Sequence, residues 1–197
     1  MGSMTPWAYR TDETNIDWTV PHLREFLLQI AQQSGAEHIN LIAHSMGNRI
    51  LTNAIEAMIA DLKDQTKPTF GQVILTAPDI DAEVFRDALV PSISKISDRL
   101  TLYASSNDKA LQLSRALHGN YPRAGDSGPN IVVCAGLDSV DASPVDTYFL
   151  STGHSYFGDN RSIISDLYLL MRDGSAPDRR NLLPEMEGKM PYWLFRP

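Results

Sequence analysis

Four short apolar runs, at residues 39–43, 73–77, 100–104 and 131–135, stand apart along the chain, and none alternates apolar with polar residues. Alternation marks a strand with one wet face, so its absence predicts strands covered on both sides. The stretches between the runs are long enough to carry helical crossovers, which makes the strands neighbours in a parallel sheet. The expected class is α/β, a three-layer α/β/α sandwich around a mostly parallel sheet. In such sheets ligands bind beyond the carboxyl ends of the strands, and polar residues just after each run are the candidates for chemistry.

The crossovers read as helices. Residues 5–18 look like irregular lead-in, and Thr19 can cap a helix with Pro21 in its first turn, Leu23, Phe26, Leu27, Ile30 and Ala31 on its apolar face and Gly35 at its end. Ile50, Leu51, Ala54, Ile55, Met58, Ile59 and Leu62 recur at helical spacing and form the clearest amphipathic stripe. A short helix over 83–89, a connection over 91–97 and a helix over 109–117 ending at His118-Gly119 follow. The run at 131–135 reads as the last strand, with a long loop over 136–158 after it. Ile163, Ile164, Leu167, Leu170 and Met171 mark a closing helix, ahead of a polar, Pro-containing tail.

With 197 residues the chain is one domain's length. Met1-Gly2-Ser3 followed by Met4 reads as an expression scar, leaving a single domain over 5–197. Cys134 is the lone cysteine and has no partner for an internal disulfide or a cysteine zinc site. With 24 acidic against 17 basic side chains, the net charge of -7 argues against nucleic acid as a partner. No apolar run approaches the roughly 20 residues that span a bilayer, so a soluble protein is expected, in the cytoplasm or periplasm. The histidines lack metal-ligand spacing and no glycine-rich phosphate loop follows a strand, so neither a metal nor a cofactor is expected. Asp79 and Asp81 are the nearest approach to a cation site and read more simply as solvated loop residues.

Ala43-His44-Ser45-Met46-Gly47 follows the first strand and leads straight into the strongest helix. Strand, sharp turn and helix is the setting of a nucleophile elbow, which presents a serine hydroxyl at the top of a sheet. The bare pattern recurs by chance in roughly one chain of this length in ten, and the flanking strand and helix are what sharpen it. A serine there can also serve only as a helix cap. A nucleophilic serine needs a base and an acid to orient it, and on this fold the order is Ser, then Asp or Glu, then His. Asp108 follows the third run and His154 the fourth, so Ser45, Asp108 and His154 match that order, each beyond a strand end. His44 adjoins Ser45 and points elsewhere, His118 suits a helix C-terminus, and His22 and His38 lie at the wrong end or on an exposed helix. Asp79 and Asp81 remain alternatives for the acid, while Asp138, Asp141 and Asp146 read as turn or solvated residues.

Residues 39–48 with their Ala-His-Ser-Met-Gly-Asn, residues 75–81, residues 103–111 and Gly153-His154-Ser155-Tyr156-Phe157 together resemble the α/β-hydrolase superfamily, in particular its poorly characterised bacterial esterase/lipase-like branch of unknown function. The resemblance extends from about Tyr9 to the last helix. It implies a serine hydrolase acting on a carboxylic ester or thioester through an acyl-enzyme, with Ser45 as nucleophile, Asp108 as orienting acid, His154 as base and the Met46 backbone N–H as an oxyanion donor. Such proteins carry earlier strands and a His-Gly loop that supplies a second oxyanion donor, and nothing before Thr19 matches that loop. The expectation is therefore a C-terminal portion of a hydrolase domain, with the elbow strand left as a sheet edge open to pairing with another copy. A non-catalytic scaffold or partner-binding module is the alternative.

Overall fold

The computed structural model describes residues 6–62, 69–145 and 160–196. Six strands, β1 (Leu41–His44), β2 (Phe70–Thr76), β3 (Ser97–Ala104), β4 (Asp138–Asp141), β5 (Leu182–Glu187) and β6 (Met190–Phe195), form one sheet in the order β1-β2-β3-β4-β6-β5. Every pairing is parallel except that of β5 with β6. The helices are α1 (Pro6–Gln33), α2 (Gly47–Ile59), α3 (Ala82–Val84), α4 (Val90–Ile93), α5 (Lys109–Leu117) and α6 (Arg161–Asp173), with a π-helical turn, Phe85–Leu89, between α3 and α4.

The central strands have two dry faces. Val73 and Leu75 of β2 and Leu100, Leu102 and Ala104 of β3 pack into one core with α1, α2 and the Phe85–Ile93 helical segment. Ile74 and Tyr103, one residue out of step, enter a second core with Leu111 of α5 and Ile163, Leu167 and Leu170 of α6. Side chains alternate across a strand, so two cores served by alternate residues define three layers. All seven residues of β2 are buried, which is why its sequence shows no alternation.

Four boundaries differ from the sequence reading. The lead-in over 6–18 is helical, and α1 runs unbroken through Pro21, so Thr19 is no cap. Proline removes one helical hydrogen bond, and packing along α2, with Ile16 buried, carries the helix through it. The helical segment after β2 continues past residue 89 to Ile93, so the supposed connection begins as helix and is reduced to a turn over 94–96 before β3 starts at Ser97. The apolar run at 131–135 is not a strand. Val132 is buried in the first core, but its stretch pairs with no strand, and the chain turns at Gly136 (φ 85°) before β4 begins at Asp138. Residues 138–141 escaped notice because charge disguised them: Asp138 is ion-paired to Arg99, and Asp141 accepts from the Ser143 N–H and hydroxyl.

The tail is a β-hairpin. Glu187 and Met190 pair across a two-residue turn whose Gly188 has φ 61°, and β6 lies alongside β4 with Val140 opposite Trp193. Its polar composition reflects exposure, since β5 is the outermost strand and is buried only at Leu182. At the other edge, among the described residues, β1 pairs with β2 alone, and Ile42 is exposed.

Candidate functional site

β1 ends at His44, and Ser45 turns the chain with φ 53°, a left-handed conformation that costs a non-glycine residue on the order of 1 to 3 kcal/mol. The Ser45 N–H donates to the Thr76 carbonyl at the end of β2 (3.0 Å), and the Asn48 and Arg49 N–H groups close the first turn onto the Ser45 and Met46 carbonyls (3.1 and 3.0 Å). The Met46 N–H takes no part in these bonds. Met46 itself is helical (φ -61°, ψ -24°) at the head of α2. A Cβ on Gly47 would meet nothing within 4 Å. The strain of this turn is therefore carried by the serine, and crowding by the described neighbours does not account for the glycine.

Asp108 is buried at the start of α5. Its Oδ1 accepts from the Ala110 and Leu111 N–H groups (3.0 and 3.1 Å), an N-cap that fixes the carboxylate at the head of α5. Its turn is tied to the one after β4. Ser106 N–H donates to Ser143 Oγ (2.8 Å) and Asn107 Nδ2 to the Ser143 carbonyl (3.1 Å). Asn160 Nδ2 then donates to the Val145 carbonyl (2.7 Å), so the residues flanking 146–159 are drawn together beside the Asp108 turn. His154 and Asp146 lie within that interval, outside the described residues. Nothing in the sequence singled out Ser143, Asn107 or Asn160, because their roles are side-chain bonds across distant turns.

The remaining candidates have structural partners. Asp79 is buried, and its Oδ1 accepts from Arg123 Nε and Ser114 Oγ, both at 2.7 Å. Asp81 caps α3, accepting from the Glu83 and Val84 N–H groups. His118 ends α5, its Nδ1 within 2.8 Å of the Ser114 carbonyl, and the His22 ring lies tilted against Trp18 on α1, centroids 4.5 Å apart. His38 is exposed before β1, and His44 is half-buried at its end. Among the described residues no three His, Cys, Asp or Glu side chains are arranged to hold a metal ion, and no helix is long and apolar enough to cross a membrane.

Arg123 belongs to a segment that roofs the strand ends. Ala124 and Gly125 N–H groups donate to the Ile80 and Pro78 carbonyls, while Ser105 N–H donates to the Gly125 carbonyl. Asp126 anchors it by accepting from Arg123 N–H, and burial pushes its carboxyl up, with the nearby charge of Asp108 adding to the shift. A Cβ on Gly125 would lie 2.6 Å from Leu111 Cδ1 and 2.8 Å from the Ala77 backbone. Backbone cannot yield as a side chain can, so Gly125→Ala is expected to cost about 1 to 3 kcal/mol, read as a lower urea midpoint.

A parallel α/β sheet with a strained serine between its edge strand and the following helix defines an α/β-hydrolase scaffold. Residues 2–172 match the family model described as alpha/beta hydrolase of unknown function (DUF900), and the chain belongs to that family. No curated protein and no solved structure matches it.

Proposed function

We propose that the protein is a serine hydrolase that cleaves a carboxylic ester or thioester through an acyl-enzyme on Ser45. The observation that carries this reading is the left-handed Ser45 (φ 53°) between β1 and α2, at the same carboxyl end of the parallel strands as the buried Asp108. Ser45 and Asp108 follow strands separated by β2 alone, so their strand ends lie about 10 Å apart, a gap that one imidazole between them helps to fill. As the acid, Asp108 is favoured over Asp79, which is committed to Arg123, and over Asp81, which caps a helix as Asp108 does but is only half-buried.

In the proposed reaction His154 takes the Ser45 hydroxyl proton as Oγ bonds to the carbonyl carbon. Asp108 holds the imidazolium, and the Met46 N–H donates to the oxyanion. The tetrahedral intermediate expels the alcohol or thiol, which takes the proton from His154. Water, deprotonated by His154, then attacks the acyl-enzyme, releasing the acid and restoring Ser45.

A fluorophosphonate reporter is expected to label the protein stoichiometrically at Ser45 by mass spectrometry, with Ser45→Ala unlabelled and His154→Ala slowed by 10³-fold or more. No labelling, under conditions that label a control esterase, would reject the reading in favour of a non-catalytic scaffold.

A further inference from the structure

Among the described residues β1 pairs with β2 alone, so the sheet holds the turn at Ser45 through β2. A second support comes from Asn48, in the first turn of α2 and fully buried. Its Nδ2 donates to the Ser45 carbonyl and to the Thr76 carbonyl, both at 2.9 Å. Thr76 also receives the Ser45 N–H and donates its own hydroxyl to the Ala43 carbonyl (3.0 Å). One amide thus locks the strained serine to the last residue of β2.

The other end of this amide is informative. Asn48 Oδ1 is buried without a hydrogen-bond partner among the described residues. Rotating the amide would set Oδ1 against two carbonyl oxygens, so the network fixes its orientation. An unpaired buried acceptor is destabilising, and an apolar side chain of equal size would avoid it. What only the amide provides is the pair of donors on the elbow.

We infer that Asn48 is a positioning residue for Ser45, clamping the Ser45 and Thr76 carbonyls so that the serine keeps its left-handed conformation and its hydroxyl its aim. The link to catalysis rests on the reading of Ser45 as nucleophile, whereas the clamp itself does not.

Asn48→Ala and Asn48→Leu remove the donors with opposite packing errors, a void and a crowded site. Each is expected to shift the backbone amide and Cα resonances of Ser45 and to slow fluorophosphonate labelling about 100-fold, the scale of a 1 Å misplacement. Ile55→Ala, in the buried face of the same helix, destabilises the core without touching the turn and should leave both readouts within about twofold of the starting protein. The inference fails if the Ser45 resonances stay in place in the folded Asn48 variants, if labelling stays within threefold, or if Ile55→Ala has the same effect. If the unsubstituted protein is not labelled, the nucleophile reading falls and the resonances alone decide the clamp.

Discussion

Methionine in place of Arg180 is expected to lower the unfolding free energy at pH 7 by about 3 to 5 kcal/mol, measured by urea denaturation. Arg180 is buried beneath α6, where its Nη1 donates to Asp166 Oδ2 (3.0 Å) and to the Tyr103 hydroxyl (3.2 Å), while that hydroxyl donates to the same Asp166 oxygen (2.5 Å). Losing the guanidinium strands a buried carboxylate. Burial already pushes the Asp166 carboxyl up, opposed by Arg180 and by the Tyr103 hydrogen bond, and removing Arg180 removes the larger opposing influence. A carboxyl raised in the folded state favours folding below its unfolded value of about 3.9 and loses that contribution as pH rises through the folded value. The defect of Arg180→Met should therefore be largest at pH 7 and shrink toward pH 4. Among the described residues Arg180 Nε and Nη2 and Asp166 Oδ1 also lack partners. Replacing the pair together, Arg180→Met with Asp166→Leu, is expected to recover most of the loss. A double variant no more stable than the single one would contradict this account.

The second large effect is expected from Asp79→Ala, again about 3 to 5 kcal/mol, because it strands the buried guanidinium of Arg123. The consequence should reach the site. Asp79 binds Ser114 of α5, the helix that Asp108 caps, and Arg123 holds the roofing segment whose Gly125 carbonyl receives Ser105. Amide hydrogen exchange at Ala110 and Leu111 is expected to accelerate beyond the rise explained by global stability. Exchange that rises uniformly across the molecule would mean that the ion pair is a general staple with no local role at α5.

The helices at 109–117 and near the C-terminus were legible because each carries its own stripe and its own cap, Asp108 for α5 and Asn160 for α6. The fourth strand was misplaced for a definite reason. Val132 is apolar because it is buried, and burial without pairing leaves the same trace in composition as burial in a sheet. The strand that does pair, Asp138–Asp141, has its carboxylates held by Arg99 and Ser143, partners that local sequence does not reveal. The hairpin was hidden because strand signals depend on burial, and β5 has little. At the candidate site, the turn after β1 was readable, as was the placing of Asp108 after β3, while His154 lies outside the described residues. Asn48 stood in the motif without a role, since its meaning lies in two carbonyls, one of them 28 residues away.

The sequence by itself determined the class of this protein: doubly buried strands joined by amphipathic helices make an α/β fold, and the strand and helix on either side of Ser45 place a turn there. The tertiary structure alone decided which side chains are committed and to what. Asp79 and Asp108 are the same residue type after neighbouring strands, and a buried arginine holds one while a helix end holds the other. Such assignments depend on pairings between residues far apart in the chain, where free energy is set by burial and geometry in three dimensions, and no local pattern encodes them.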